Sequence, residues 1–159
     1  MSSPTVPPAV RSTPSEVRST TSTDGTVNVE GERGSARLSR LAPGVTFFLC
    51  RGYFPTSYAA PMIAMADREI RVTKKLLMAV DAWELSSVES GFREAWTVWF
   101  KAHKRDVQME LLIKSKLMEM AASLANLFTG AKIVTTHSRV DEWERTVAKA
   151  VPGFRRPAY

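Results

Sequence analysis

One thiol, two imidazoles and a scatter of carboxylates are the groups in this chain with the means to do chemistry. Cys50 would serve as a nucleophile if His137 lay within hydrogen-bond reach as its base and Asp141 oriented the imidazole. A reactive thiol needs an electropositive, partly open setting. Cys50 instead closes the run Val45-Thr46-Phe47-Phe48-Leu49-Cys50, whose apolar character favours the neutral thiol. His103 sits between Ala102 and Lys104, where a solvated or hydrogen-bonded structural role is the ordinary one. No H-E-x-x-H pair, G-x-S-x-G elbow or G-K-[ST] phosphate loop occurs. A single cysteine excludes a multi-cysteine zinc site, and the two histidines lie far apart. The carboxylates offer no isolated pair on an apolar face for acid–base work. These residues point to a protein that is not an enzyme, with no cofactor, no metal and no evident small-molecule substrate.

The cations carry a different chemistry. Arg68, Arg71 and Lys75 recur at i, i+3 and i+7, with Lys74 adjacent, so a helix there would present four of them along one face. Arg93, Lys101 and Lys104 share a second face, with Arg105 beside it, and Arg155-Arg156 follow the last expected helix. Such faces could line a nucleic-acid backbone, each contact releasing a counterion. The plainer reading is a pair of wet surfaces opposite a core, because Asp67, Glu69, Glu94 and Asp106 are interspersed. No known RNA- or DNA-binding motif is present, so binding would be largely independent of sequence.

Trp83, Trp96, Trp99 and Trp143 fall at positions that face a helical core, and packing is their ordinary use. The sharper use is as intersubunit anchors or base-stacking platforms. Leu111 to Phe128 is apolar almost all round, which a small domain covers most simply by self-association. Trp96, Trp99, Leu112, Leu117, Met120, Leu124 and Phe128 are the candidate contacts.

The elements expected to position these groups are mostly helices. Ser57 is a plausible cap for a first helix, with Pro61 in its first turn. Met62, Met65, Ala66, Ile70, Leu76, Leu77, Val80 and Trp83 then recur at three- and four-residue steps. Ser86-Ser87-Val88-Glu89 matches a capping box for a second helix. With no proline before Pro152 and no glycine between Gly91 and Gly130, it could run about 40 residues, or about 60 Å. A break near Lys104–Asp106 into two antiparallel helices is the alternative. A short last helix is capped by Ser138, carries Asp141 and Glu142 at its positive end, buries Val140, Trp143, Val147 and Val151, and stops at Pro152-Gly153. Residues 45–50 and 132–136 read as strands that could pair as a small two-stranded ribbon.

Composition frames the whole. The chain has 159 residues, 44% apolar and 24% charged, enough for one domain with a tail. Residues 1–36 are rich in Ser, Thr, Pro, Val and Gly, lack aromatics, and read as a disordered arm. That arm has three arginines against four acids, so the net positive charge of the chain, +6, resides in residues 37–159. Residues 37–153 make the expected helical domain and 154–159 a basic tail. No apolar run reaches the ~20 residues of a membrane span, and no secretory h-region leads the sequence. The lone cysteine suits a reducing, intracellular setting, cytoplasmic or nuclear, and the acids in the arm speak against organellar import. The sequence therefore predicts a mainly α protein, a helical bundle with one long or broken central helix. Its expected function is non-catalytic self-association and contact with nucleic acid, RNA foremost, in the manner of a coat, nucleocapsid or sequestering protein. The alternative is a structural or adaptor subunit that touches no nucleic acid.

Overall fold

The apolar run at Val45 is the middle of a sheet and not half of a ribbon. In the computed structural model, which describes residues 17–114 and 132–157, seven strands lie side by side in their order along the chain. Strands β1 (Arg18–Thr21), β2 (Val27–Glu30), β3 (Gly34–Ala42) and β4 (Val45–Phe54) form an antiparallel meander. A 3-10 turn (Thr56–Tyr58) and helix α1 (Ala59–Thr73) then cross over to β5 (Leu76–Val88), which pairs parallel with β4. Helix α2 (Ser90–His103) crosses to β6 (Val107–Leu112), also parallel. The parallel strand β7 (Val134–His137) and helix α3 (Val140–Ala148) complete the described elements.

Alternation sorts the side chains between two faces. Val27, Val29, Ala36, Leu38, Phe48 and Cys50 point to one face, with Leu76, Met78, Val80, Val107 and Leu111 beside them. Helices α1 and α2 cover that face with Met62, Met65, Ala66, Ile70, Trp96, Trp99 and Phe100. Phe47, Ala79 and Leu112 point the other way, under Trp143 and Val147 of α3 and Phe154 beyond it. Strand β5 is thus buried on both sides where it crosses the middle of the sheet.

This architecture corrects the all-helical expectation at particular places. Leu76 to Trp83 continues the three- and four-residue apolar spacing of α1, yet it is strand. A central parallel strand is apolar on both faces and loses the alternation that would identify it. Lys74 ends α1 in the left-handed conformation, φ 67°, with its N–H on the Ile70 carbonyl. The expected 40-residue helix is also absent. Ser86, Ser87 and Val88 finish β5, α2 stops at His103, and residues 107–112 are strand. The expected ribbon fails too: residues 45–50 and 134–137 are strands, but β5 and β6 separate them. From Arg18 onward the supposed disordered arm holds β1, β2 and the start of β3, where Val27, Val29 and Ala36 are core residues. Its alternation, Val27 and Val29 against Asn28 and Glu30, supplies a buried face despite the polar composition. Residues 1–16 lie outside the described residues. Arg139, not Ser138, occupies the cap position of α3, though Trp143 and Val147 are buried as expected.

Among the described residues no helix is long and apolar enough to cross a membrane.

Candidate functional site

Three turns meet at the end of the sheet where β5 and β6 begin. The first is Pro43-Gly44, between β3 and β4. Gly44 takes φ 78°, and a Cβ there would sit 3.0 Å from the Lys75 carbonyl, so glycine permits both the turn and the close approach. Its carbonyl accepts the Leu77 N–H at 2.8 Å. The second turn, Lys74-Lys75, ends α1, and the third, Lys104 to Asp106, ends α2. Leu76 N–H donates to the Asp106 carbonyl at 2.8 Å, and the Lys75 ammonium donates to the Arg105 carbonyl at 3.0 Å. Lys75 is further held by Asp106 at 3.2 Å. Glu69 locks the same end from α1, accepting Arg40 Nε and the Gly44 N–H, each at 2.9 Å.

This stitching sets Lys74, Lys75, Lys104 and Arg105 side by side, all exposed. Arg68 and Arg71 are exposed on the last turns of α1, and Lys101 on the last turn of α2. Seven of the ten expected cations thus lie toward one end of the molecule. Cations at helix C-termini also complement the helix dipole, by about 0.3–1 kcal/mol each, so stability alone gives them a reason to be there. An open hollow of about 500 Å³ lies among the three turns, where Lys75, Arg105 and the acid Asp106 line it beside Pro43, Leu77 and Gln108.

The other three cations are elsewhere. Arg93 is exposed on the first turn of α2, about 16 Å along the helix from Lys104. Arg155 is exposed on the chain beyond α3, across the sheet from the two helices. Arg156 is half-buried and committed to a carboxylate. Its Nε donates to Asp81 Oδ2 at 2.7 Å, and its backbone N–H donates to Glu144 at 2.7 Å.

Asp81 belongs to a polar group beneath α3. The Trp83 N–H donates to Asp81 at 3.2 Å, and Arg156 also lies over the Trp83 ring. Nearby, His137 Nε2 is 2.6 Å from Glu110 Oε2, and Trp143 Nε1 donates to the Glu110 carbonyl at 3.0 Å. Both acids are buried, at 0% and 5% exposure, and their contacts hold α3 and the following chain on the sheet. Cys50 is buried on the opposite face, with β5 and β6 between its strand and that of His137. Burial, then the charge of Asp81, pushes its thiol up, and the Cys50–His137 pair is not assembled. Asp141 contacts Arg139 and Arg145 instead. His103 packs on Trp99 and lies 3.6 Å from Asp67, which also accepts Trp99 Nε1 at 2.6 Å. Among the described residues no group of His, Cys, Asp or Glu is arranged to hold a metal ion.

Of the expected self-association contacts, Trp96, Trp99 and Leu112 are buried within this chain. Leu117, Met120, Leu124 and Phe128 lie outside the described residues. Sequence reasoning missed the Pro43-Gly44 turn and Gln108 as parts of the basic end. A Pro-Gly pair just before an apolar run was the available signal, but nothing local told which distant turns it would meet.

No family model and no curated protein matches the chain. Among solved structures it is similar to the crystal structure of an uncharacterized protein of the DUF3478 family from Shewanella loihica PV-4, described as having a SpoIIAA-like fold. The TM-score is 0.54 with 14% identity, over 71% of this chain and 93% of that one. Identity that low speaks to architecture alone: the chain has an α/β fold of the SpoIIAA-like kind.

Proposed function

We propose that this is a non-catalytic protein that binds nucleic acid, RNA foremost, through phosphate contacts at the basic end. One observation carries the reading: the turns Lys74-Lys75 and Lys104-Arg105 lie against each other, joined by the Lys75–Arg105 and Leu76–Asp106 hydrogen bonds. Lys75 is paired with Asp106 on the facing turn, which leaves Lys74, Lys104 and Arg105 as a net positive surface on two fixed turns, and cations scattered on separate helix faces would not form one. Phosphate contacts of this kind supply affinity and little sequence preference. The test is charge reversal at Lys74, Lys104 and Arg105, which leaves the Lys75–Asp106 pair intact. Binding of a labelled single-stranded RNA should fall by at least about 100-fold with the circular-dichroism spectrum unchanged. Unchanged affinity in a folded variant would overturn the assignment.

A second reading, a structural or adaptor subunit without nucleic-acid contact, is favoured by the placement of the same cations at helix C-termini, where the dipole accounts for them. Under it, charge reversal lowers stability slightly, and the wild-type protein does not bind RNA.

A further inference from the structure

The exposed cations near the ends of α1 and α2 form two rows at a fixed spacing. Arg68, Arg71 and Lys74 recur every three residues on α1 and span about 9 Å. Lys104 and Arg105 follow α2 beside them. Each helix crosses from the end of one parallel strand to the start of the next, so the two run in the same direction. Asp67 of α1 ties them together, accepting Trp99 Nε1 at 2.6 Å with His103 at 3.6 Å. Packed helices lie about 8–10 Å apart, which sets the gap between the rows.

The nearby acids do not offset these rows. Asp67 is engaged by Trp99 and His103, Glu69 by Arg40 and the Gly44 N–H, and Asp106 by Lys75. Glu94 is exposed about 15 Å along α2 from Lys104. Among the described residues none of the five cations takes part in an ion pair. The helix dipole acts within the last turn, so it does not account for Arg68, which precedes that turn.

We infer that these two rows grip a nucleic-acid duplex, one backbone to each helix, so that the protein prefers double-stranded over single-stranded partners. The inference rests on the phosphate-binding reading and goes further by naming the form bound. Over about 9 Å a duplex presents about five phosphates, and a single strand about half as many. Five cations on two rows are thus matched by a duplex and not by one strand. A single strand gains affinity where its bases stack on exposed rings. The rings at this end of α2, Trp99 and Phe100, are buried against the sheet.

The experiment uses the full chain with a labelled blunt RNA duplex of about twelve base pairs and one of its strands alone, at about 50 mM salt. Wild type should bind the duplex about tenfold more tightly. The double change Arg68→Gln and Arg71→Gln removes charge from one row, at exposed positions where glutamine keeps the helix propensity. Duplex affinity should then fall by about tenfold. Single-strand affinity, carried by Lys74, Lys104 and Arg105, should change by less than about threefold, so the preference disappears. Equal wild-type affinities, a preference for the single strand, or a duplex preference that survives the double change would overturn the inference and leave the phosphate reading standing. Failure to bind either RNA would overturn both.

Discussion

Arg156 reaches back 75 residues to Asp81, with Nε 2.7 Å from Oδ2 and Nη2 3.3 Å from Oδ1. Asp81 is fully buried in the central strand β5, whereas the Arg156 side chain keeps 18% of its surface. Phe154, two residues earlier, packs between Phe47 and Trp143, so the chain beyond α3 is fastened at an apolar and an ionic point. An arginine that looked like part of a basic exit is therefore a structural fastening.

The two halves of that pair differ in what their loss leaves behind. Arg156→Ala removes the guanidinium from a carboxylate that cannot reach water, and it should cost about 3 kcal/mol. Asp81→Asn leaves an arginine able to turn toward solvent and an amide oxygen able to keep the Trp83 N–H, and it should cost less. Urea unfolding of the two variants checks the order. An equal or reversed loss would contradict the asymmetry.

Lys74 is the one non-glycine residue with positive φ among those described. Left-handed backbone costs a side chain about 1 kcal/mol, which glycine avoids. Lys74→Gly should therefore raise the melting temperature by about 3 °C. If the lysine is kept for phosphate contact, the same change should weaken RNA binding and lower the magnitude of the salt slope by about 1. A gain in stability with unaltered binding would mean that Lys74 plays no part in the interface.

Glu89 stands at the N-terminal cap position of α2 without a side-chain hydrogen bond to that helix, and its carboxylate joins two other elements, accepting hydrogen bonds from Thr56 of the 3-10 turn and Tyr53 of β4. The Thr56 hydroxyl, then that of Tyr53, holds its carboxyl below the usual glutamate range. The native state consequently binds fewer protons than the unfolded state between the lowered and the ordinary value. The stabilisation is complete above the ordinary range and disappears as pH falls through the lowered value. Glu89→Gln should therefore be less stable than wild type at pH 7, with the difference closing as pH falls below about 4. Denaturation midpoints measured from pH 7 to pH 3 test this, and parallel losses across that range would refute it.

How much the sequence made legible depends on where each residue sits in the sheet. Val45–Cys50 read as a strand because β-branched and aromatic residues are concentrated there. The first four turns of α1 and the buried face of α3 were legible because each has a solvated side. Strand β5 was not, since covering both faces erases its period. Strand β6 was hidden because Gln108 and Glu110 interrupt a short run that no Gly or Pro bounds. The cations were legible as residues but not as a group. Lys74 and Arg105 are brought together by pairing between β5 and β6, a contact that no local pattern encodes. Arg156 was misread for the same reason, as its partner lies 75 positions away.

The central claim is that the basic end binds nucleic-acid phosphates, and salt tests it most directly. Anisotropy of a labelled single-stranded RNA, titrated with wild-type protein at about 50 mM and 200 mM salt, measures how many phosphates are neutralised. With four to six contacts the affinity should fall on the order of 100-fold between the two conditions. Absence of binding at the lower salt, or affinity that does not change with salt, would contradict the account and leave the cations as caps on the helix dipoles.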